Sequence, residues 1–352
     1  MNPAIGNLRQ NGVYITNSKD IGRLYGKSRF GIIQSKNRLK LDFLEACFLC
    51  EEKKLVVVKN KKHINFENLI TIASAKREQF ETDYLIFRDL RRRGHQIELL
   101  IDDSSFNFYT KNQQDQQKIP AFITTFSERK TCTIQHLLDL IEESKEQSSN
   151  CWLTIADEEG DITYYHLNSE PLIGQEKQHT FKKSTGILLK DRVILFNEKA
   201  AAKLHEKEFF GKEFAKGIQI SLVEALYLVK NNSLQITLPT GEKLSPSQFE
   251  KNISSKQKDI KKRFIVFDDL KKQGLIVKTG FKFGNHFRAY TALPDKTHAE
   301  YLIHAVSLSD TLEWAEVSRA IRLAHSVNKT FLFASIGKNN IIRYLAFKRI
   351  RP

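Results

Sequence analysis

The chain of 352 residues has no long apolar run. A membrane-spanning helix needs about 18 consecutive apolar residues, and no stretch of this sequence approaches that length. The start, MNPAIGNLRQNGVYITNSKD, is polar and lacks the apolar core of a signal peptide. We therefore expect a cytoplasmic protein without a membrane partner. A chain of this length is long for one hydrophobic core, which favours two or more domains.

Cysteine is scarce, with four residues in the whole chain. Cys47 and Cys50 form a CxxC pair, but it lies in LDFLEACFLCEE, an apolar helical pattern without a second Cys or His pair nearby. A structural zinc site needs about four ligands. These thiols are therefore expected to be buried core residues, and no metal or cofactor is expected. Cys132 and Cys151 are isolated and carry no signal.

Two enzyme signatures are also missing. LPTGEKLS does not have the spacing of a phosphate-binding loop. A metal-dependent nuclease of restriction-like fold needs a carboxylate cluster. The segment LPDKTHAE supplies Asp295 without suitably placed partners. Both absences argue against these classes, and cleavage that survives a chelator would exclude the second.

The charge balance is strongly basic, with a formal net charge of +15. A surplus of this size is typical of proteins that bind an anionic polymer such as nucleic acid. A generally basic proteome is the alternative. Charge alone indicates a class of partner and no chemistry.

The sequence contains two similar copies, and matching segments of the copies lie about 180 residues apart. YLIFRDLRRRGHQIEL overlies FIVFDDLKKQGLIVKT at an offset of 180, and SSFNFYT overlies NHFRAYT at 181. LDFLEACFL overlies ISLVEALYL at 179, and WLTIADEEGDITYYHL overlies FLFASIGKNNIIRYLAF, also at 179. Four segments at nearly one spacing indicate a tandem duplication.

Each copy divides into two parts of α/β (α+β) character. In the second copy, SSKQKDIKKRFIVFDDLKKQG predicts one helix that ends at Gly274 in a left-handed cap. Alternating patterns then predict the strands LIVKTG, HFRAYTAL and AEYLIHAVSL, the helix EWAEVSRAIRLAHSVN and two closing strands. We predict a small helix-and-strand domain followed by a mixed-sheet nuclease-like domain in each copy, with these boundaries: 1–80, 81–168, a linker at 169–188, 189–255 and 256–352.

The two copies differ in their titratable residues. Tyr290 has a counterpart in Tyr109, whereas the stretch opposite His298, KNQQDQQKIPAF, contains no histidine. Lys329 falls opposite Asn150 in this alignment. Only the second copy therefore combines a tyrosine, a histidine and a lysine. The same copy also carries Lys278, Lys282, His286, Arg288 and His304 between residues 278 and 304.

The helix before Lys329 has two distinct faces. Trp314, Val317, Ile321 and Ala324 recur at spacings of three and four, which predicts the buried face. Arg322, His325 and Lys329 lie on another face. The matching helix of the first copy, LLDLIEESKEQ, is acidic and has no arginine. A solvated basic face remains the alternative for this arrangement.

A tyrosine, a histidine and a lysine could together supply the groups that metal-free cleavage of RNA needs. Attack of a ribose 2′-hydroxyl on the adjacent phosphate requires a base, an acid for the 5′-oxygen and a cation near the phosphorane. An imidazole exchanges protons near neutral pH, and an ammonium supplies fixed positive charge. Taken singly, Tyr290, His298 and Lys329 are better interpreted as a strand aromatic, a turn residue and a solvated helix end. Taken together, in the copy that also has more arginines, they indicate a function.

The last hundred residues, KTGFKFGNHFRAY…HAEYLIH…RAIRLAHSVNKTFLFA, closely resemble the catalytic domain of archaeal tRNA-splicing endonucleases. The resemblance covers nearly the whole chain, and the duplication resembles the branch of that family with two fused subunits and a homodimeric assembly. About 18 polar residues at the start of the first copy lie outside it. The implied substrate is precursor tRNA folded as a bulge-helix-bulge. The implied products carry 2′,3′-cyclic phosphate and 5′-hydroxyl ends.

The resemblance also implies roles for individual residues. Tyr290 matches the general base, His298 the general acid and Lys329 the residue that stabilises the transition state. Arg322 and Arg349, with Arg351 as a near competitor, match a pair of arginines that stack on a flipped bulge base. Planar guanidinium groups suit such stacking. A non-catalytic RNA-binding subunit is the alternative, and it predicts that His298→Ala leaves function intact.

An acidic loop of the first copy points to assembly. The segment ADEEGD carries Asp157, Glu158, Glu159 and Asp161, whereas its counterpart SIGKNN has no acidic residue. In the family that the chain resembles, an acidic loop of the non-catalytic unit enters a basic pocket of the catalytic unit. Opposite charges favour one pairing over others, so a homodimer is expected. A solvated β-turn is the alternative.

Overall fold

The computed structural model describes residues 2–35, 37–100, 105–109, 120–294 and 297–352, with only the backbone at 35 and 109. The chain divides into two compact units. One comprises residues 1–131, 139–167 and 349–352, and the other comprises residues 132–138 and 168–348. Asp295 and residues 111–119, which the sequence comparison places opposite the His298 segment, lie outside the described residues.

The first copy begins with a six-stranded sheet and short helices. Its strands are Ala4–Arg9 (β1), Gly12–Ile15 (β2), Ile32–Ser35 (β3), Arg38–Leu41 (β4), Leu55–Lys59 (β5) and Lys62–Ile64 (β6). They lie in the order β3-β4-β2-β1-β5-β6. Its helices are Ser18–Ile21 (α1), a π-helical turn at Gly22–Lys27, Phe43–Glu51 (α2) and Phe66–Ser74 (α3).

The second part of the first copy packs a helix against a mixed sheet. Its elements are Phe80–Arg92 (α4), Gln96–Leu99 (β7), Ser105–Tyr109 (β8), Ala121–Ser127 (β9), Cys132–Thr133 (β10), Ile134–Glu146 (α5), Asn150–Ala156 (β11) and Ile162–Ser169 (β12). The strands run side by side as β7-β8-β9-β11-β12. β9 and β11 are parallel and the other neighbours are antiparallel.

The second copy repeats this plan. Its first part contains Ser184–Leu188 (β13), Arg192–Leu195 (β14), Glu198–Glu208 (α6), Lys212–Phe214 (β15), Gly217–Ser221 (β16), Leu222–Lys230 (α7), Leu234–Thr237 (β17), Lys243–Leu244 (β18) and Pro246–Lys256 (α8). Its sheet order, β15-β16-β14-β13-β17-β18, is the same as that of the first copy, strand for strand. No helix or strand lies between residues 170 and 183, all of which are described, and β13 begins within the expected linker.

The second part of this copy carries the candidate site. Its elements are Ile260–Lys272 (α9), Ile276–Thr279 (β19), a 3-10 turn at Phe281–Phe283, Phe287–Tyr290 (β20), Tyr301–Ser307 (β21), Thr311–Leu312 (β22), Trp314–Ser326 (α10), Thr330–Ile336 (β23), a 3-10 turn at Lys338–Asn340 and Ile342–Ile350 (β24). The strands run as β19-β20-β21-β23-β24. As in the first copy, only the central pair, β21 and β23, is parallel.

The duplication predicted from the sequence is confirmed, and it reaches the side chains of the core. In the first copy, the Phe48 ring packs on Phe87 at 5.9 Å, and Phe87 packs on Phe106. In the second copy, Tyr227, Phe267 and Phe287 form the same series, with centroids 5.5 and 5.9 Å apart. These contacts join the two parts of each copy into one apolar core.

The structure corrects three of the sequence-based predictions. β11 and β23 align at an offset of 180 rather than 179, so Lys329 corresponds to Ser149 and not to Asn150. The start of the first copy is no extra segment, because β1 and β2 correspond to β13 and β14. The single helix predicted from residue 254 is interrupted at residues 257–259, between α8 and α9.

Three other local predictions are confirmed, and a fourth, for Cys50, is not. Gly274 has a φ of +77°, the left-handed conformation expected after α9. The buried face of α10 consists of Trp314, Val317, Ile321 and Ala324. Cys47 is fully buried, whereas Cys50 is only partly buried and departs from the prediction. Burial raises the pKa of the Cys50 thiol to about 11.

Candidate active site

Tyr290 is the last residue of β20, and the residue is 8% exposed. Strand pairing places it opposite Ile276, and it shares a small apolar cluster with Ile276 and Ala299. The Arg288 guanidinium lies 5.8 Å from the centroid of the Tyr290 ring. The tyrosine therefore sits at a strand end, with positive charge close to its ring.

His298 lies on the segment between β20 and β21, and its side chain is exposed. The backbone beside it is tied down at two points. The amide of Glu300 donates to the carbonyl of Ala289 at 3.0 Å, and the carbonyl of Glu300 accepts from the amide of Thr330 at 2.8 Å. The histidine is thus exposed on a segment that the sheet holds in place.

Lys329 is positioned by the end of α10. Asn328 adopts a left-handed φ of +53°, and the Lys329 amide donates to the carbonyl of Ala324 at 2.9 Å. This turn directs the chain into β23. The half-buried Lys329 side chain then reaches the segment after β20, where its Nζ donates to the carbonyl of Ala299 at 2.8 Å.

Ala299 is the residue that links the three candidates. Tyr290 packs in the same cluster as Ala299, Lys329 donates to its carbonyl, and His298 precedes it in the chain. The structure therefore brings Tyr290 and Lys329, which are 39 positions apart in the sequence, to the residue that follows His298. A phenol, an imidazole and an ammonium in one locality are groups suited to proton transfer and charge stabilisation at a phosphate.

The proposed RNA-binding arginines are on the surface. Arg322 is exposed on α10, Arg349 is exposed on β24, and Arg351 is exposed beyond the end of that strand. Exposed guanidinium groups are available to stack on bases or to bind phosphates.

The acidic segment forms the tight turn between β11 and β12. Asp157 Oδ1 accepts hydrogen bonds from the amides of Glu159 at 3.1 Å and Asp161 at 2.8 Å. Gly160 adopts a left-handed φ of +84°. Glu158 forms an exposed ion pair with Arg129, and Glu159 and Asp161 are also exposed. Asp157 shapes the turn, and the other three carboxylates are presented to solvent.

Lys278 has a structural role in the second copy. Its Nζ donates to the carbonyls of Phe209 at 2.6 Å and Gly211 at 2.7 Å, and lies 3.4 Å from Glu224 Oε1. Phe209 in turn packs against the cluster that contains Tyr290. Lys278 therefore fixes the first part of the copy against the edge of the candidate site.

Two histidines of the same region stack on each other. The rings of His286 and His304 lie 4.0 Å apart, and His286 Nδ1 accepts from the Ala305 amide at 3.0 Å. Burial, followed by the neighbouring His304, lowers the pKa of His286 to about 4. Burial also lowers the pKa of His304. Both are therefore neutral packing residues near pH 7.

The linker makes contacts beside Tyr290 that no sequence pattern predicted. The amide of Gln175 donates to the carbonyl of Thr291, which directly follows Tyr290, at 2.8 Å. The amides of Gly174 and Glu176 donate to the carbonyls of Gln273 and Gly274. These are backbone contacts, so no side-chain pattern could have indicated them. The pair of glycines, Gly174 and Gly274, was the available signal for a close crossing.

Comparison with protein families identifies both parts of the chain. The model of the tRNA intron endonuclease N-terminal domain matches residues 4–70 and 184–250, and that of the catalytic C-terminal domain matches residues 260–344. The tRNA-splicing endonuclease of Methanococcoides burtonii is 31% identical over 334 residues, which cover 93% of this chain and 94% of that protein. The chain belongs to the tRNA-splicing endonuclease family.

Other relatives agree with the duplicated architecture of the chain. The tRNA-splicing endonuclease of Methanosarcina mazei is 28% identical over 337 residues, or 94% of each chain. That of Methanothermobacter thermautotrophicus is 34% identical over 167 residues, which cover 96% of that protein but 47% of this chain. The N-terminal match from residue 4 shows that the family resemblance includes the segment that the sequence analysis had left outside it.

Two further properties concern the described residues alone. Within them, no set of three or more His, Cys, Asp and Glu side chains is arranged to hold a metal ion. No helix in the described ranges is both long and apolar enough to span a bilayer.

As a member of this family, the chain is an endonuclease that acts on tRNA in splicing.

Proposed function

We propose that the second copy cleaves precursor tRNA by attack of a 2′-hydroxyl, with Tyr290, His298 and Lys329 as the catalytic residues. Tyr290 takes the proton from the 2′-hydroxyl, and the 2′-oxygen forms a bond to phosphorus. The bond from phosphorus to the 5′-oxygen breaks, and His298 donates a proton to that oxygen. Lys329 stabilises the negative charge of the phosphorane. The products are a 2′,3′-cyclic phosphate and a 5′-hydroxyl.

The grouping around Ala299 is the observation that supports this assignment. The Lys329 ammonium is held 2.8 Å from the carbonyl of the residue that follows His298, and Tyr290 belongs to the same apolar cluster as that residue. A base, an acid and a cation together account for each charge change in the reaction. No step requires a metal ion or a cofactor.

We further propose that the substrate is a bulge-helix-bulge and that Arg322 and Arg349 stack on a flipped base of the bulge. Unpaired bases in RNA are commonly recognised by stacking on planar side chains. The exposure of both arginines supports this role. The net charge of +15 supplies the attraction to the phosphate backbone.

The proposed assembly is a homodimer in which the turn at residues 157–161 of one chain enters a basic pocket of its partner. The exposure of Glu158, Glu159 and Asp161 supports this role. The equivalent turn of the second copy, with Lys338, carries the opposite charge. The domains at 81–168 and 256–352 would then have different tasks, assembly and cleavage.

The deciding experiment uses a bulge-helix-bulge RNA and the purified protein in excess EDTA. Cleavage should proceed, and end-group analysis should find 2′,3′-cyclic phosphate and 5′-hydroxyl termini. Loss of cleavage in EDTA that is restored by Mg²⁺ would contradict the mechanism. So would products that carry 5′-phosphate ends.

A further inference from the structure

The backbone of Glu300 joins the strands that end or begin beside the proposed catalytic residues. Glu300 lies two residues after the proposed catalytic histidine and directly before β21. Its amide donates to the carbonyl of Ala289 at 3.0 Å, and Ala289 precedes Tyr290. Its carbonyl accepts from the amide of Thr330 at 2.8 Å, and Thr330 follows Lys329. One residue therefore contacts the backbone next to the tyrosine and the backbone next to the lysine.

The side chain of Glu300 makes a third contact. Its half-buried carboxylate accepts a hydrogen bond from the hydroxyl of Thr291, which is also half-buried and directly follows Tyr290. Because His298 lies between these two residues in the chain, the bond connects the two ends of the segment that carries it. Hydrogen bonds to a carboxylate are stronger than those between neutral groups.

Thr291 is held from a second direction by the linker. Its carbonyl accepts from the amide of Gln175 at 2.8 Å, while its hydroxyl donates to Glu300. The end of β20 is thus fixed both by the linker and by the segment of the histidine. The Glu300 carboxylate supplies the second of these attachments.

The first copy has a proline in the place of Glu300. Pro120 directly precedes β9, as Glu300 precedes β21. The carbonyl of Pro120 accepts from the amide of Asn150 at 3.1 Å, the same bond that Glu300 makes with Thr330. Proline, however, has neither an N–H group nor a carboxylate. The other two contacts of Glu300 cannot form at this position of the first copy.

This difference separates what the fold needs from what the cleavage site needs. The first copy forms its strands in the same order as the second, β7-β8-β9-β11-β12 against β19-β20-β21-β23-β24, without a glutamate at this position. The carboxylate is found in the copy that combines a tyrosine, a histidine and a lysine. Catalysis depends on precise placement, and a shift of about 1 Å can reduce a rate by about 10²-fold.

We propose that Glu300 is a positioning residue for RNA cleavage, whose carboxylate acts through the Thr291 hydroxyl on the backbone beside Tyr290 and His298. It exchanges no proton with the substrate. The inference rests on the catalytic roles proposed above for Tyr290, His298 and Lys329, and it adds a bond that holds their segments together.

The test removes each side of the bond in turn. Glu300→Ala removes the acceptor and Thr291→Val removes the donor. Each should slow single-turnover cleavage of a bulge-helix-bulge RNA by roughly 10- to 100-fold and leave the dissociation constant for RNA unchanged. Because both variants break the same bond, the double variant should be no slower than the slower single variant. Rate losses that multiply in the double variant would contradict the proposal.

Conservative variants distinguish positioning from direct catalysis. Glu300→Gln keeps an oxygen acceptor and Thr291→Ser keeps a hydroxyl donor, so both should recover most of the lost rate. If Glu300→Gln were as slow as Glu300→Ala, the charge itself would take part in the reaction and the positioning role would be wrong. If Glu300→Ala does not fold, as judged by circular dichroism, the comparison of Thr291→Val with Thr291→Ser tests the same bond.

Matched controls remove similar bonds from other half-buried positions. Glu250→Ala breaks the contact of Glu250 with Lys230 at 2.6 Å, and Thr237→Val removes the bond of its hydroxyl to the carbonyl of Gly186 at 3.3 Å. Both controls should cleave at the unmodified rate. Equal rates for Glu300→Ala and Glu250→Ala would refute a special role for Glu300.

His298→Ala in the same assay separates this inference from the proposed function. If His298→Ala cleaves at the unmodified rate, the catalytic roles fail, and the positioning role fails with them. If His298→Ala is slow while Glu300→Ala and Thr291→Val cleave at the unmodified rate, the positioning role alone is overturned.

Discussion

At the scale of the residue, the candidate site depends on Ala299, a residue with no chemistry of its own. Its carbonyl holds the Lys329 ammonium at 2.8 Å, and its methyl group belongs to the cluster that packs Tyr290. Lys329 is itself set by the left-handed Asn328. The neighbouring backbone thus positions Lys329, whereas the His298 side chain is exposed.

We expect His298→Ala and Lys329→Ala each to slow single-turnover cleavage by roughly 10²- to 10⁴-fold, the range of one acid, base or charge contribution. RNA affinity should change little, because phosphate contacts are spread over a basic surface. Quench-flow measurements with saturating enzyme give the cleavage rate. Filter binding gives the dissociation constant for RNA.

The controls for this pair are His63→Ala and Lys199→Ala, which remove the same side-chain types from exposed positions on β6 and α6. Both should cleave at the unmodified rate. Unchanged single-turnover rates in His298→Ala and Lys329→Ala would rule out their assigned roles.

At the scale of the element, equivalent glutamates at the starts of α2 and α7 have pKa values shifted in opposite directions. Burial raises the pKa of Glu45 from 4.5 to about 7. Burial acts on Glu224 in the same direction, but Lys278 and the hydrogen bonds from Gly211 and Ser221 outweigh it and lower its pKa. Glu45 therefore favours the folded state when protonated, and Glu224 when ionised.

These shifts predict opposite pH trends for two matched variants. The contribution of Glu45 is complete below pH 4.5 and disappears as pH rises through about 7, a difference of about 3 kcal/mol. Glu45→Gln should therefore become less destabilising from pH 5 to pH 8. The contribution of Glu224 is complete above its unfolded pKa of 4.5 and is lost only as pH falls below that value, so Glu224→Gln should become less destabilising from pH 5 to about pH 3.

Urea midpoints of both variants and the unmodified chain, measured from about pH 3 to pH 8, check this prediction. Each variant is the control of the other, because both replace a helix-capping Glu with Gln. Parallel pH trends for the two variants would contradict the opposite shifts.

The linker is a second element with a testable role. A Cβ on Gly174 would lie 1.9 Å from the carbonyl oxygen of Gly274. Gly174→Ala should therefore displace the segment that bonds to Thr291, lower stability by about 1–3 kcal/mol and slow cleavage. Gly26→Ala is the matched control, since a Cβ there meets nothing within 4 Å. Equal thermal midpoints and rates for the two variants would show that the linker does not support the site.

At the scale of the whole molecule, the turn at residues 157–161 predicts how two chains associate. Replacing Asp157, Glu158, Glu159 and Asp161 by Asn or Gln keeps the Asp157 acceptor position but removes the negative charge. We expect the mass in solution to fall from that of a dimer to that of a monomer, because opposite charge drives the pairing. Sedimentation equilibrium gives the mass.

The control for the turn removes four carboxylates at exposed positions elsewhere: Glu67, Glu81, Glu198 and Glu206, each replaced by Gln. This variant has the same change in net charge and should remain a dimer. A dimer that survives neutralisation of the turn would refute its role in assembly.

Much of this protein followed from local pattern. The duplication, the order of helices and strands in the second copy and the buried face of α10 are visible because apolar periodicity and Gly274 are local signals. Comparison of the two copies also showed that only the second combines the three residue types of Tyr290, His298 and Lys329. The interruption between α8 and α9 was missed, because a polar stretch continues the helical pattern without a proline or glycine.

Tertiary structure alone decided what each titratable residue does. Lys278, His286 and His304 lie in the same short stretch as Tyr290 and His298, yet the first is caged by carbonyls and the other two stack as neutral rings. The alignment that makes Ser149 the counterpart of Lys329, and the contact between Lys329 and Ala299, also come from the fold. Sequence determines which groups are present, whereas burial and distant backbone atoms, unseen in any local pattern, determine their charge and their partners.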